Sequence, residues 1–331
     1  MPINRLFLAL LLATLFFAAL VGFGVMRQSD NTPPPLVLFL PDYAAQLSQG
    51  KSLSITYGLG LSGTRALHIV KSKQDWRLGD IKGYRANQEL VQETLVALAH
   101  LQKIAPQSGD DLGLTAPEDL GQATRLQIVN EAGDIMVSVL LGRKEESDNF
   151  SQKKTSRFGR TQERFYMFNE QKPAQGKWLV QGRLPRNYRL EAWLDPYLPH
   201  HIIAASPATL ASVRFQDKTL SAAYYKALRQ LRPDHVAAAE TIGFPKEGLT
   251  LAIAYNMSPD IPAINEQIII TYHIKTTTAH IWVKPHIQAK SSGKNPVSAP
   301  TQALARQLQS RYGGWALRFA ADTARLWLPY N

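Results

Sequence analysis

Residues 6–26 read LFLALLLATLFFAALVGFGVM, uncharged throughout and almost wholly apolar. At about 1.5 Å of rise per residue a helix over this run is roughly 31 Å long, the thickness of a bilayer's hydrocarbon core. A cleaved signal peptide would have an apolar core of about 7–15 residues and then a small-residue cleavage site. Here the run is longer, and the Ala18-Ala19 pair lies inside it. The chain has no cysteine, which excludes a lipid-modified cysteine after cleavage. The run therefore predicts an uncleaved, single-span anchor. Arg5 and Arg27 nearly balance in the positive-inside count. The short amino-terminal tail and the lack of a second apolar span place the carboxy-terminal body outside the cytoplasm.

Residues 27–35 (RQSDNTPPP) follow as a stalk, stiffened by three prolines toward an extended conformation. The remainder is long enough for one large or two medium domains. The 45% hydrophobic content of the whole chain, with 12 Tyr, 12 Phe and 6 Trp, supports real cores and excludes global disorder. The absence of cysteine removes disulfides, thiolate metal sites and thiol catalysis together.

Beyond the stalk, 36–48 reads as a helical lead-in stopped by Gly50. Strand-like runs follow at 53–57, 66–70 and 76–78. Asn87 caps a helix with Val91, Leu95, Leu98 and Leu101 on one face, and Pro106 and Gly109 are expected to close it. Strands at 124–129 and 135–141 precede a polar stretch from 143 to about 163 with no apolar periodicity. At about 20 residues it exceeds ordinary connections and reads as a flexible or contact segment. A hairpin at 164–169 and 177–181 and a short helix at 188–198, bounded by Pro185 and Pro199, complete the first half.

The second half repeats this outline. Ala97-Leu98-x-x-Leu101 followed by Ile104-Ala105 is matched by Ala227-Leu228-x-x-Leu231 followed by Val236-Ala237. Each precedes a strand pair, at 249–255 and 267–275 in the second case. A strand at 280–286, a helix at 301–312, a strand at 315–319 and a last helical turn at 322–328 end the chain. Clustered strands with isolated helices predict an α+β fold with mainly antiparallel sheets. The expected organisation is a cytoplasmic tip and transmembrane helix (1–26), the stalk (27–35) and two loosely repeated α+β units (36–200 and 201–331).

The formal charge of +11 is unevenly placed: between Arg143 and Arg189 cations exceed acids by seven. Such a stretch attracts anionic envelope polymers, lipid headgroups or an acidic partner. Nucleic acid is not expected outside the cytoplasm. Lys153, Lys154, Arg157, Arg160 and Arg164 are the candidate contact patch.

Three apparent chemical motifs dissolve on their context. Gly58-Leu59-Gly60-Leu61-Ser62-Gly63 spells G-x-G-x-x-G after a strand, but dinucleotide binding needs a helix opening at the last glycine. The residues that follow spell a β-hairpin instead. Ser48-x-x-Lys51, Ser147-Asp148-Asn149 and Lys275-Thr276-Thr277 occur in the order used by penicillin-recognising serine enzymes. There the Ser must open a helix that carries the Lys, whereas Gly50 interrupts this one. His280, Trp282, Lys284 and His286 share one face of a strand, and a metal would need a third ligand and carboxylate support. No catalytic residue, metal site or cofactor is assigned.

Several strings together resemble the DUF 4340 family (domain of unknown function). They are Gln74-Asp75-Trp76-Arg77-Leu78, Gly83-Tyr84-Arg85-Ala86-Asn87, Ala97-Leu98-Ala99-His100-Leu101, Leu112-Gly113-Leu114 with Pro117, and Leu140-Leu141-Gly142. Trp178-Leu179-Val180-Gln181-Gly182, Trp193-Leu194-Asp195 and Gly314-Trp315-Ala316-Leu317-Arg318-Phe319 continue the likeness over nearly all the chain beyond the stalk. The resemblance implies a bacterial inner-membrane protein, amino terminus cytoplasmic and carboxy-terminal part periplasmic. It also implies association with permease and ATPase subunits of gliding-motility-type ABC transporters. The function expected is therefore a non-enzymatic, membrane-anchored accessory or interaction protein. An envelope hydrolase acting on cell-wall glycan or peptide is the alternative.

Overall fold

A computed structural model describes residues 37–57, 65–107, 123–145, 163–186, 188–206, 208–257, 266–291, 296–320, 323 and 327–328. The apolar run at 6–26, the stalk, and Lys153, Lys154, Arg157 and Arg160 lie outside the described residues. Among those described, no helix is long and apolar enough to cross a membrane.

The chain builds two sheets in succession. Helix α1 (Pro41–Gln46) and a 3-10 turn lead into strands β1 (Ser52–Tyr57), β2 (Arg65–Ser72), β3 (Asp75–Leu78) and β4 (Tyr84–Arg85). Helix α2 (Gln88–Ala99), β5 (Gln102–Gln107), β6 (Thr124–Val129), β7 (Ile135–Lys144), β8 (Glu163–Asn169) and β9 (Lys177–Gly182) complete the first sheet. Two short helices, α3 (Leu190–Trp193) and α4 (Pro199–Ala204), cross to the second half. There β10 (Thr209–Phe215), β11 (Lys218–Thr219), α5 (Ala222–Leu228), β12 (His235–Ala238) and α6 (Ala239–Ile242) precede a long meander. Its members are β13 (Leu249–Asn256), β14 (Glu266–Thr276), β15 (His280–Ser291), α7 (Ala299–Tyr312) and β16 (Trp315–Ala320).

Every pairing between described strands is antiparallel, as expected for an α+β fold. The first sheet runs β4-β3-β2-β1-β6-β7-β8-β9-β5 and the second β11-β10-β13-β14-β15-β16-β12. With the appended β3 and β4 set aside, the two orders coincide position for position. In each, a hairpin is followed by a helix, then a strand laid at the far edge, then a four-strand meander that grows toward it. The matched strings Ala97–Leu101 and Ala227–Leu231 occupy the helix ends just before those two edge strands, β5 and β12.

Alternation sets the cores. β14 buries Glu266, Ile268, Ile270, Tyr272 and Ile274 and turns Gln267, Ile269, Thr271, His273 and Lys275 outward. In α2, Val91, Leu95 and Leu98 recur at helical spacing and are wholly or almost wholly buried. Asn87 starts that helix, its Oδ1 accepting from Leu90 N at 3.2 Å.

Two expected boundaries are corrected. The helix ends at Ala99, and Pro106 lies in β5, opposite Trp178. A proline lacks the donor for a second neighbour, but β5 is an edge strand and needs only one. Pro199 does not close a helix at 188–198; it begins α4, where its missing N–H costs nothing. The helix before it spans only Leu190–Trp193.

Candidate functional site

The most concentrated polar chemistry lies where the two sheets are joined. Asp195 follows α3 and is 1% exposed. One carboxylate oxygen accepts from Arg85 Nη1 of β4 at 3.4 Å and from Arg311 Nη2 of α7; the other accepts from Tyr197 N at 3.2 Å. Arg85 turns its second nitrogen to Asp75 Oδ1 at 3.2 Å. The backbone follows the same seam: Asp195 N donates to Arg85 O at 3.1 Å and Asn87 N to Trp193 O at 2.8 Å. Tyr84 packs edge-on against Trp315, ring centres 5.1 Å apart, and Tyr312 Oη donates to Tyr197 O at 2.8 Å. Burial pushes both tyrosine hydroxyls far above their ordinary titration range. A buried carboxylate between two half-buried guanidiniums is a structural clamp.

Three of the strings quoted from the sequence meet here. Tyr84, Arg85, Ala86 and Asn87 face Trp193, Leu194 and Asp195, with Trp315 alongside. Composition and periodicity gave these residues no joint role. The available signal was the single charge in each of two strings, Arg85 and Asp195, which burial tolerates only when paired.

The basic stretch changes character in three dimensions. Lys144 pairs with Glu163 at 2.9 Å and Arg164 with Glu145 at 3.6 Å, so two cross-strand ion pairs close the base of the β7–β8 hairpin. Lys172 pairs with Asp42, Arg183 with Glu93 and Arg189 with Glu191. Arg186 donates to Gly142 O at 2.6 Å. The surplus of seven counted along the chain is thus partly offset by acids outside that stretch, brought near only by folding. Of the five candidate contact residues, only Arg164 is described, and it sits in β8 opposite Gln181.

The discarded motifs have ordinary positions. The glycine string at 58–63 and Ser147-Asp148-Asn149 lie outside the described residues; Tyr57 and Arg65, which flank the first, are register partners, and β2 follows it. Lys51 pairs with Glu131 at 3.1 Å, whereas Lys275 Nζ donates to the Ile242 and Gly243 carbonyls. Ser54 Oγ and His68 Nδ1 are 3.0 Å apart on an exposed strand pair. Asp80 accepts from His68 N at 2.7 Å and does not orient the ring, so a nucleophile–base–carboxylate relay is not assembled.

Two histidines are buried instead. His201 Nδ1 accepts from Leu198 N at 2.8 Å, which puts the ring proton on Nε2, 2.6 Å from Arg229 O. His200 meets Tyr272 Oη at 2.7 Å, and Tyr225 and Tyr255 share a 2.6 Å hydroxyl contact beside it. Burial lowers the pKa of His201 to about 4 and holds that of His200 well below its ordinary value. This cluster fills the core beneath β13 and β14. His280, Trp282, Lys284 and His286 do share the outer face of β15, where His273 of β14 lies opposite Lys284. Among the described residues no group of His, Asp and Glu is arranged to hold a metal.

A scan against models of protein families, a search of curated proteins and a search of solved structures found no match to the chain.

Proposed function

We propose that the chain is a single-span protein of a bacterial inner membrane whose periplasmic α+β body binds another envelope component without catalysing a reaction. The observation that carries this reading is the uncharged 21-residue run at 6–26, followed by a proline-stiffened stalk. Nine stalk residues reach at most roughly 30 Å, which keeps the body beside the bilayer. The DUF 4340-like strings support an accessory role, because those that meet at the sheet junction hold the two halves together. They leave the reading of partner contact to the segment between β7 and β8, with Lys153, Lys154, Arg157 and Arg160, and Arg164 at its base. The partners proposed are ABC permease and ATPase subunits. Anionic envelope polymers or headgroups are the ligands that the same cations would take.

Crosslinking in native membranes, mild-detergent purification and identification of co-purifying proteins tests the reading. Permease and ATPase subunits are expected in fixed ratio, and that recovery falls when the five cations are neutralised together. Recovery of the chain alone would overturn the accessory role. Unchanged recovery from the neutralised variant would overturn the contact patch only.

A further inference from the structure

The two sheets share a strand order but not an outer surface. On the first, Arg125 is held by Glu170 through contacts of 2.8 to 3.2 Å, and Glu170 also accepts from Ser138 Oγ at 2.6 Å. That charge is satisfied within the protein. On the second, alternation sends Trp282, Lys284, His286, Gln288 and Lys290 of β15 outward, beside His273 and Lys275 of β14. Register extends the rows: Arg214 lies opposite Ala252, Ala252 opposite Thr271, and Thr271 opposite His286. In the next rows Thr250, His273 and Lys284 align, as do Lys275, Trp282, Arg318 and His235.

Some of these cations are spoken for. Arg318 Nε donates to Asp234 at 2.8 Å, and Lys275 reaches the carbonyls that end α6. Among the described residues, however, His273, Lys284, His286, Lys290 and Arg214 form no ion pair. Burial lowers the pKa of His273, and its neighbours His286 and Lys284 lower it further. Such a field repels a metal cation and attracts an anion.

We propose that the outer face of the second sheet docks on the anionic phospholipid headgroups of a bilayer. Arg214, Lys284 and Lys290 supply charge, His286 adds a hydrogen-bonding ring, and Trp282 lies among them as an interfacial ring. This rests on the membrane-anchor reading of residues 6–26. A tether of nine residues holds the body permanently near one polyanionic surface, so individually weak contacts act at high effective concentration. Each basic side chain brought close to such a surface strengthens binding about fivefold. Tryptophan is the aromatic side chain favoured where apolar and aqueous phases meet.

The absence of cysteine allows a clean test. The full chain carrying Gln288→Cys, an exposed position on this face, is labelled with a polarity-sensitive fluorophore. It is reconstituted in vesicles of phosphatidylcholine alone or mixed with phosphatidylglycerol, both containing a headgroup-linked quencher lipid. Quenching is expected only with phosphatidylglycerol. It should fall at least tenfold with Lys284→Ala, His286→Ala and Lys290→Ala combined, and on raising the salt tenfold. Quenching that is equal in both lipids, or absent from both, overturns the proposal. A response to soluble polyphosphate but not to vesicles likewise overturns it and assigns the face to a polymer. Release of the chain from vesicles by alkaline carbonate reports separately on the anchor. An unchanged urea midpoint for the triple variant shows that the fold is intact.

Discussion

Asp195 shows how one residue can join two halves of a chain. Its side chain is 2% exposed, and its charge is balanced by Arg85, 110 positions earlier, and Arg311, 116 later. Asp195→Ala would leave both guanidiniums facing each other without their shared counter-charge. Breaking a buried pair in this way costs about 3 kcal/mol, read as a lower urea midpoint for the whole chain. The buried histidines give a second test at this scale. Their folded pKa values lie below the unfolded value near 6.5, so the fold prefers the neutral rings. At pH 7 and above both states are neutral and stability is full. As pH falls below about 6.5 the unfolded chain takes up protons that the core refuses, and stability declines until about pH 4, where His201 itself titrates. For His201 the loss is about 3 kcal/mol over that window. His201→Gln should flatten the decline of urea-unfolding free energy between pH 6.5 and 4. Neither role was legible in the sequence, because a charge or an imidazole declares its partner only when distant segments meet.

At the scale of elements, alternation and helix periodicity carried most of the information. The β1–β3 strands, the start of α2 at its Asn87 cap and the β8–β9 hairpin stand within a residue or two of where their sequences put them. Pro106 was misread because proline ends a helix and also tolerates a strand edge, and only the sheet order decides between the two. Gly182 illustrates a constraint with no sequence signal beyond the glycine itself. A Cβ there would lie 2.4 Å from Leu101 Cδ2, a side chain with no exposed surface. β9 therefore ends in close contact with the residue that begins the turn into β5. Gly182→Ala should destabilise by about 1–3 kcal/mol through overpacking. Leu101→Ala in the same chain should restore part of that loss, a coupling that a double-mutant cycle of unfolding free energies measures.

For the whole molecule, the repeat of two α+β units left a trace in the sequence because corresponding helices must present leucines before corresponding strands. The distribution of charge left a partial one. Counting along residues 143–189 gives a strongly basic stretch, yet Asp42, Glu93 and Glu191 sit against its cations in the fold. The outer face of β14 and β15 shows the converse, since its cations are scattered in sequence and gather only through register. The placement of β12 carries a further consequence, in time rather than space. Its one neighbour in the sheet is β16, which begins 77 residues after β12 ends. In a chain released amino end first, β12 is complete well before β16 and waits, its backbone groups unpaired along that edge, until almost the last segment arrives. β12 therefore joins the second sheet late, and any chaperone that attends the folding of this protein has that waiting strand to guard.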